Sequence, residues 1–205
     1  MQIQDDLFDK APGTITPDLQ NAEITYYPTF IERNESDSLL RDLEHSVEWR
    51  QDKITAYGKV HDLPRLTAWY GDPGRNYNYS NIQMNPVAWT PTISKLKETV
   101  ERVSNHSFNS LLLNYYRDGN DKVSWHSDDE KELGLNPTIA SISLGAERKF
   151  KLRHKTKKEL KYDIVLKHGS LLLMAGETQH HWEHEIPKTA VKIGPRINLT
   201  FRTVE

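Results

Sequence analysis

From Ser110 onward the chain breaks into short runs of strand-forming residues separated by turn signals, and this punctuation restricts the fold more than any other feature. The runs are Ser110 to Tyr116, Ile139 to Leu144, Lys149 to Arg153, Tyr162 to Leu166, Ser170 to Met174 and Arg196 to Arg202. Strands of this kind each bury one face, so they must close on one another as a sandwich or barrel, and a jelly roll is one such solution. The earlier half is different. Ile24 to Tyr27 has strand propensity and stops at Pro28. Leu39, Leu40, Leu43 and Val47 then form an apolar helical stripe behind the candidate caps Asn34 and Ser36. A second helix is signalled by Thr90 as cap, Pro91 at the first helical position, and Ile93, Leu96, Val100 and Val103. Between the helices, Tyr57-Gly58-Lys59 reads as a hairpin tip and Gly71-Asp72-Pro73-Gly74 as a turn. The expected architecture is mainly β with flanking helices.

At 205 residues the chain suits one domain with a sizeable core. Residues 1–21, with Pro12, Gly13 and Pro17, are expected to form an irregular arm, and 22–205 a single domain whose β core spans 106–205. No run approaches the roughly 18 apolar residues of a membrane span. Asp5, Asp6 and Asp9 sit where a signal or transit peptide would need apolar or basic residues, so the cytoplasm is the expected compartment, or the nucleus in a eukaryote. The absence of cysteine excludes disulfides, thiolate nucleophiles and zinc–thiolate sites, so any metal must be held by His, Asp or Glu. A net charge of −2 gives no global pull toward nucleic acid, but the run from Arg148 to Lys158 is strongly basic. That run reads equally as a solvated strand edge protected by lysines.

His126-Ser127-Asp128 is the sharpest local feature. On a strand, residues two apart share a face, so both side chains can reach one ion. The spacing alone is weak, and a third ligand is needed. His180-His181-Trp182-Glu183-His184 supplies candidates, although alternation puts His180 and His184 on one face and His181 on the other, and His181 with Glu183 forms a competing pair. Two His and one carboxylate on one face of iron leave three positions open, which suits an oxygenase. Near the carboxy terminus, Arg196, Asn198, Thr200 and Arg202 share one face, with Ile197, Leu199 and Phe201 on the other. On a surface strand this is ordinary amphipathic patterning. Inside a barrel the two arginines need anions, and their forks suit the carboxylates of a diacid. Asn114 and Tyr116 repeat the same-face geometry as hydrogen-bond donors.

Taken in order, Asn-x-Tyr, His-x-Asp, a distal His and Arg-x-Asn-x-Thr-x-Arg resemble the AlkB family of nucleic-acid dioxygenases, in its DNA alkylation-repair branch. The resemblance runs from about Tyr57 to Arg202, and Tyr70-Gly71-Asp72, Asp128-Asp129-Glu130, Arg153-His154-Lys155 and His168-Gly169-Ser170 extend it. It implies a double-stranded β-helix, with substrate recognition assigned to the helical portion, residues 22–105. It implies iron(II), 2-oxoglutarate and dioxygen as cofactors. His126, Asp128 and His184 would hold the iron. Asn114, Tyr116, Arg196 and Arg202 would hold 2-oxoglutarate, supported by Asn198 and Thr200, with Arg202 nearer the metal end. Tyr77 and Tyr79 would stack on an extruded base, and Tyr57, Gly58 and Lys59 would form a recognition hairpin. Asp129 and Glu130 would favour a cationic methylated base, while Arg153 and Lys155 would contact phosphates. The implied activity is oxidative demethylation of 1-methyladenine and 3-methylcytosine in DNA, with no membrane and no obligate protein partner. The alternatives are a dioxygenase acting on RNA, protein or a small molecule, and a nucleic-acid-binding module without catalysis.

Overall fold

The structure is a computed structural model that describes residues 13–56, 58–74, 77–79, 82–84 and 86–205, with no side chains described at 55–57 or 75–85. The elements run in the order β1 (Glu23–Tyr27), α1 (Arg33–Ser46), β2 (Lys53–Ala56), β3 (Lys59–Asp62), β4 (Leu66–Gly71), β5 (Tyr77–Tyr79), β6 (Ile82–Met84) and α2 (Pro91–Ser104). There follow β7 (Ser110–Tyr116), β8 (Val123–His126), β9 (Ile139–Gly145), β10 (Arg148–His154), β11 (Lys161–Leu166) and β12 (Ser170–Ala175). The chain closes with the short helix α3 (Thr178–His181), β13 (Trp182–Ile186) and β14 (Arg196–Arg202).

Two antiparallel sheets face each other. The larger has the order β1-β12-β9-β14-β7-β4 and the smaller β11-β10-β13-β8; β2-β3 and β5-β6 are separate hairpins. Apart from the β10–β11 hairpin, consecutive strands of the carboxy-terminal half alternate between the two sheets, as in a jelly roll. Strand alternation divides the apolar residues between two cores. Leu112, Leu172 and Met174 of the larger sheet pack toward Phe150, Leu152, Trp182 and Ile186 of the smaller. Leu111, Leu113, Leu199 and Phe201 face the other way, toward Leu43 of α1 and Ile93, Leu96 and Val100 of α2. The helices cover one face of the larger sheet, so its other face can line a pocket between the sheets.

The α2 cap is as its sequence predicts: Thr90 Oγ1 accepts from Ile93 N at 3.3 Å, with Pro91 in the first turn. The α1 start differs from expectation. The helix begins at Arg33 with Glu32 at the cap position and no side-chain cap bond, while buried Ser36 lies inside the first turn and donates to Ile31 O at 3.2 Å. Residues 13–21 form no strand but dock on the domain, where Ile15 bridges Tyr26 and Gln20 O accepts from Trp182 Nε1 at 2.9 Å. Among the described residues no helix is long and apolar enough to cross a membrane.

Candidate metal and diacid site

The site lies between the sheets, at the end of β8, at the middle of β13 and beside β14. His184 faces inward from β13, its register partner across the small sheet is His126, and the two rings meet at 4.3 Å between centroids. The sequence expectation of His126 and Asp128 on one strand needs correction. β8 ends at His126, and Asp128 lies in the following turn, where its N–H donates to Gln179 Oε1 at 2.9 Å. A turn brings the carboxylate back to the histidines as alternation would have done. Backbone geometry separates His180 and His181 from His184. His180 and His181 belong to α3, which resets the alternation, so inward positions in β13 fall at Trp182, His184 and Ile186.

Among the described residues, His126, Asp128 and His184 form a group whose potential ligand atoms all lie within 4.8 Å of one another. Burial, then the neighbouring His126, drive His184 down to about 3, with Asp128 opposing. Burial likewise lowers His126. Burial alone would raise Asp128, but Arg202 and the two histidines hold it below the usual carboxylate range. The set is therefore two neutral imidazoles and one carboxylate at neutral pH, the protonation state a hard-to-borderline divalent cation requires. Arg202 Nη2 donates to Asp128 Oδ1 at 2.7 Å and both side chains are buried, so β14 orients the carboxylate.

The diacid end lies further along β14. Arg196 is buried under the Tyr116 ring, its guanidinium carbon 5.0 Å from the ring centre. Its Nη2 donates to Ser143 Oγ at 2.9 Å, Tyr116 is a further side-chain partner, and Nε and Nη1 are buried. Desolvated N–H groups of a guanidinium without an acceptor are costly, and a carboxylate oxygen bound at either would offset that cost. The residues present therefore fit a metal and a dicarboxylate side by side. Asn198 differs from a free donor: its Nδ2 binds Ser141 Oγ at 2.7 Å and Ile142 O at 3.0 Å, and Thr200 Oγ1 donates to its Oδ1 at 3.0 Å. Asn198 and Thr200 thus brace the wall behind the arginines.

Next to Asp128 in the chain, Asp129 is exposed and takes Lys155 Nζ at 2.8 Å, which also donates to Gln179 O at 2.8 Å. Glu130 is half-buried beside it. Arg153 is engaged as well, donating to Glu183 Oε1 at 2.6 Å and lying 4.0 Å over the Trp125 ring. The two cations expected to meet phosphates therefore already hold intramolecular partners. Gly58, at φ +72°, and exposed Lys59 stand at the β2–β3 turn, whereas Tyr57 lies outside the described residues. Tyr77 and Tyr79 bound β5, but their side chains are likewise outside the description.

Two contributors carry no pattern in the sequence. Gln179 is buried and fixes the Asp128 backbone. Arg65 is buried in the wall of the cavity and donates its Nε–H to Asn114 Oδ1 at 2.6 Å. Single residues without a periodic partner leave no spacing to read.

Comparison with known proteins gives a consistent result. Residues 23–202 match the family model described as the 2OG-Fe(II) oxygenase superfamily. The mouse alpha-ketoglutarate-dependent dioxygenase alkB homolog 3 is 44% identical over 192 residues, covering 89% of this chain and 66% of that protein. The bovine DNA oxidative demethylase ALKBH2 is 37% identical over 188 residues, covering 87% of this chain and 68% of that protein. The chain thus spans about two-thirds of the length of each of these relatives. A solved structure titled "The structure of OsALKBH1" superposes with a TM-score of 0.64 at 18% identity, covering 88% of this chain and 97% of the other, a likeness of fold.

Proposed function

Because this chain belongs to the 2OG-Fe(II) oxygenase superfamily, we propose that it demethylates alkylated bases of DNA, with 1-methyladenine and 3-methylcytosine as substrates. One observation carries the reading: His126, Asp128 and His184 converge within 4.8 Å, in a cavity also lined by the buried guanidinium of Arg196. The name of the bovine relative, a DNA oxidative demethylase, supports the substrate class. When bound, iron(II) with 2-oxoglutarate and dioxygen supplies the oxidation, in which the diacid leaves as succinate and carbon dioxide and the methyl group as formaldehyde.

The chain's own residues hold and exclude. His126, Asp128 and His184 would ligate the metal from one side, leaving the opposite side for cosubstrates. Arg196 would take the distal carboxylate of 2-oxoglutarate, with Tyr116 and Asn114 alongside. Arg202 keeps Asp128 ionised and aimed. A methyl on N1 of adenine or N3 of cytosine blocks pairing and leaves the base cationic, so such a base is cheaper to extrude. Asp129, although paired with Lys155, and neighbouring Glu130 would offer this cation a carboxylate partner. Tyr77 and Tyr79 would stack on it, and Tyr57, Gly58 and Lys59 would meet the strand it leaves. Lys155 has three donor hydrogens and two acceptors in place, so a phosphate can be added without breaking either contact.

Mass spectrometry of oligonucleotides carrying 1-methyladenine or 3-methylcytosine tests the reading. The methyl group should be lost only with iron(II) and 2-oxoglutarate together, with formaldehyde and succinate in equal amounts. Turnover of methylated RNA with DNA untouched would move the substrate class, and silence on all of them would overturn the reading.

A further inference from the structure

The cavity wall contains a third buried guanidinium besides Arg196 and Arg202. Arg65 follows Leu63 and Pro64 in the segment that connects the β2–β3 hairpin to β4, and only 3% of it is exposed. A buried arginine needs a reason, because taking its charge out of water is costly. The loop holds it firmly. Leu63 N donates to Asp52 O at 2.8 Å, Lys122 N to Pro64 O at 3.0 Å, and Gln51 Nε2 to Leu63 O at 2.6 Å. From this frame Arg65 Nε–H reaches Asn114 Oδ1 at 2.6 Å, and Nη1 donates to Lys122 O at 3.3 Å.

The first of those bonds has a chemical consequence. A carboxamide has an acceptor end and a donor end, and the two differ little in shape. An arginine Nε–H can only donate, so it fixes the Oδ1 of Asn114 toward Arg65. The Nδ2 end must then point away from Arg65. Asn114 stands on β7, opposite Asn198 of β14, on the face that also carries Tyr116 and looks into the cavity. We propose that Arg65 is a positioning residue that locks the Asn114 amide with its N–H groups turned to the diacid, and so sets the affinity for 2-oxoglutarate. The proposal rests on the function proposed above only in naming that diacid. Without the lock, the amide can invert and present an oxygen to a carboxylate, which repels it. Arg65 also links the exposed hairpin to the cosubstrate pocket through a single side chain.

The readout is direct binding rather than turnover: the dissociation constant of 2-oxoglutarate with Mn(II) in place of iron, followed by calorimetry on the full chain. Arg65→Lys keeps the charge but loses the fixed Nε–H, and Arg65→Gln keeps a neutral donor. Each should weaken 2-oxoglutarate by about tenfold, the effect of one charge-assisted hydrogen bond, while Mn(II) affinity is unchanged. Asn114→Ala removes the group that Arg65 acts on. In that background Arg65→Lys should cause no further loss, since the two act as one unit. Additive losses in the double variant would overturn the proposal, as would wild-type affinity in whichever single variant melts as the parent does. A parent chain that binds no 2-oxoglutarate with Mn(II) would instead defeat the functional reading.

Discussion

Arg196 and the two histidines state the requirements of the site most sharply. Arg196 is buried in the cavity wall with Nε and Nη1 desolvated and Nη2 on Ser143. Arg196→Lys keeps the charge and loses the fork. Its apparent KM for 2-oxoglutarate should rise about 10- to 100-fold with metal affinity unchanged, and an unaltered KM would remove Arg196 from the diacid site. His184 gives a pH prediction. Its folded pKa is depressed to about 3 from 6.5, by burial first and His126 second. Between those values the unfolded chain binds more protons, so stability is complete above about pH 6.5 and falls as the pH drops. One unit below that point the loss is about 1 kcal/mol, and His126 shifts in the same direction. Melting in EDTA at about pH 7.5 and 5.5 measures it; equal midpoints would mean that the imidazoles are accessible to protons in the fold.

The elements differ in how clearly their sequences announce them. β7 and β14 match their predicted bounds: β14 alternates strictly between polar and apolar residues, and β7 is an unbroken run of strand formers closed by Asn114-Tyr115-Tyr116. α2 was legible from Thr90-Pro91. β8, β13 and β4 were not. β8 is four residues with a ligand at its end, and β13 starts directly from α3, which hides its alternation among neighbouring histidines. β4 lies inside an aromatic, turn-rich tract and forms the edge of the larger sheet. Gly145 makes a testable junction here. It ends β9 at φ +91°, and a Cβ there would stand 2.3 Å from Pro195 O, immediately before Arg196. Gly145→Ala should cost about 1–3 kcal/mol in urea unfolding, because both the torsion and the backbone contact resist it. It should also weaken 2-oxoglutarate by displacing Arg196; an intact urea midpoint would show that the junction yields.

For the whole molecule, the net charge of −2 means that attraction to nucleic acid must come from where the cations lie. Arg153 and Lys155 are each tied to a carboxylate. Reversing both to Glu would repel Glu183 and Asp129 as well as phosphate. Binding of a methylated oligonucleotide should weaken and its dependence on salt should flatten, and a salt slope equal to the parent's would place the phosphates elsewhere. Every residue of β14 is buried, between β7 and β9 at the centre of the larger sheet. A slip of one position in its pairing would drive Ile197, Leu199 and Phe201 among the ligands and send four polar side chains into the helical core. Acquiring the native topology and acquiring a working centre are thus a single event, and a half-folded population contributes no partial turnover. The specific activity of a preparation would then count correctly folded molecules.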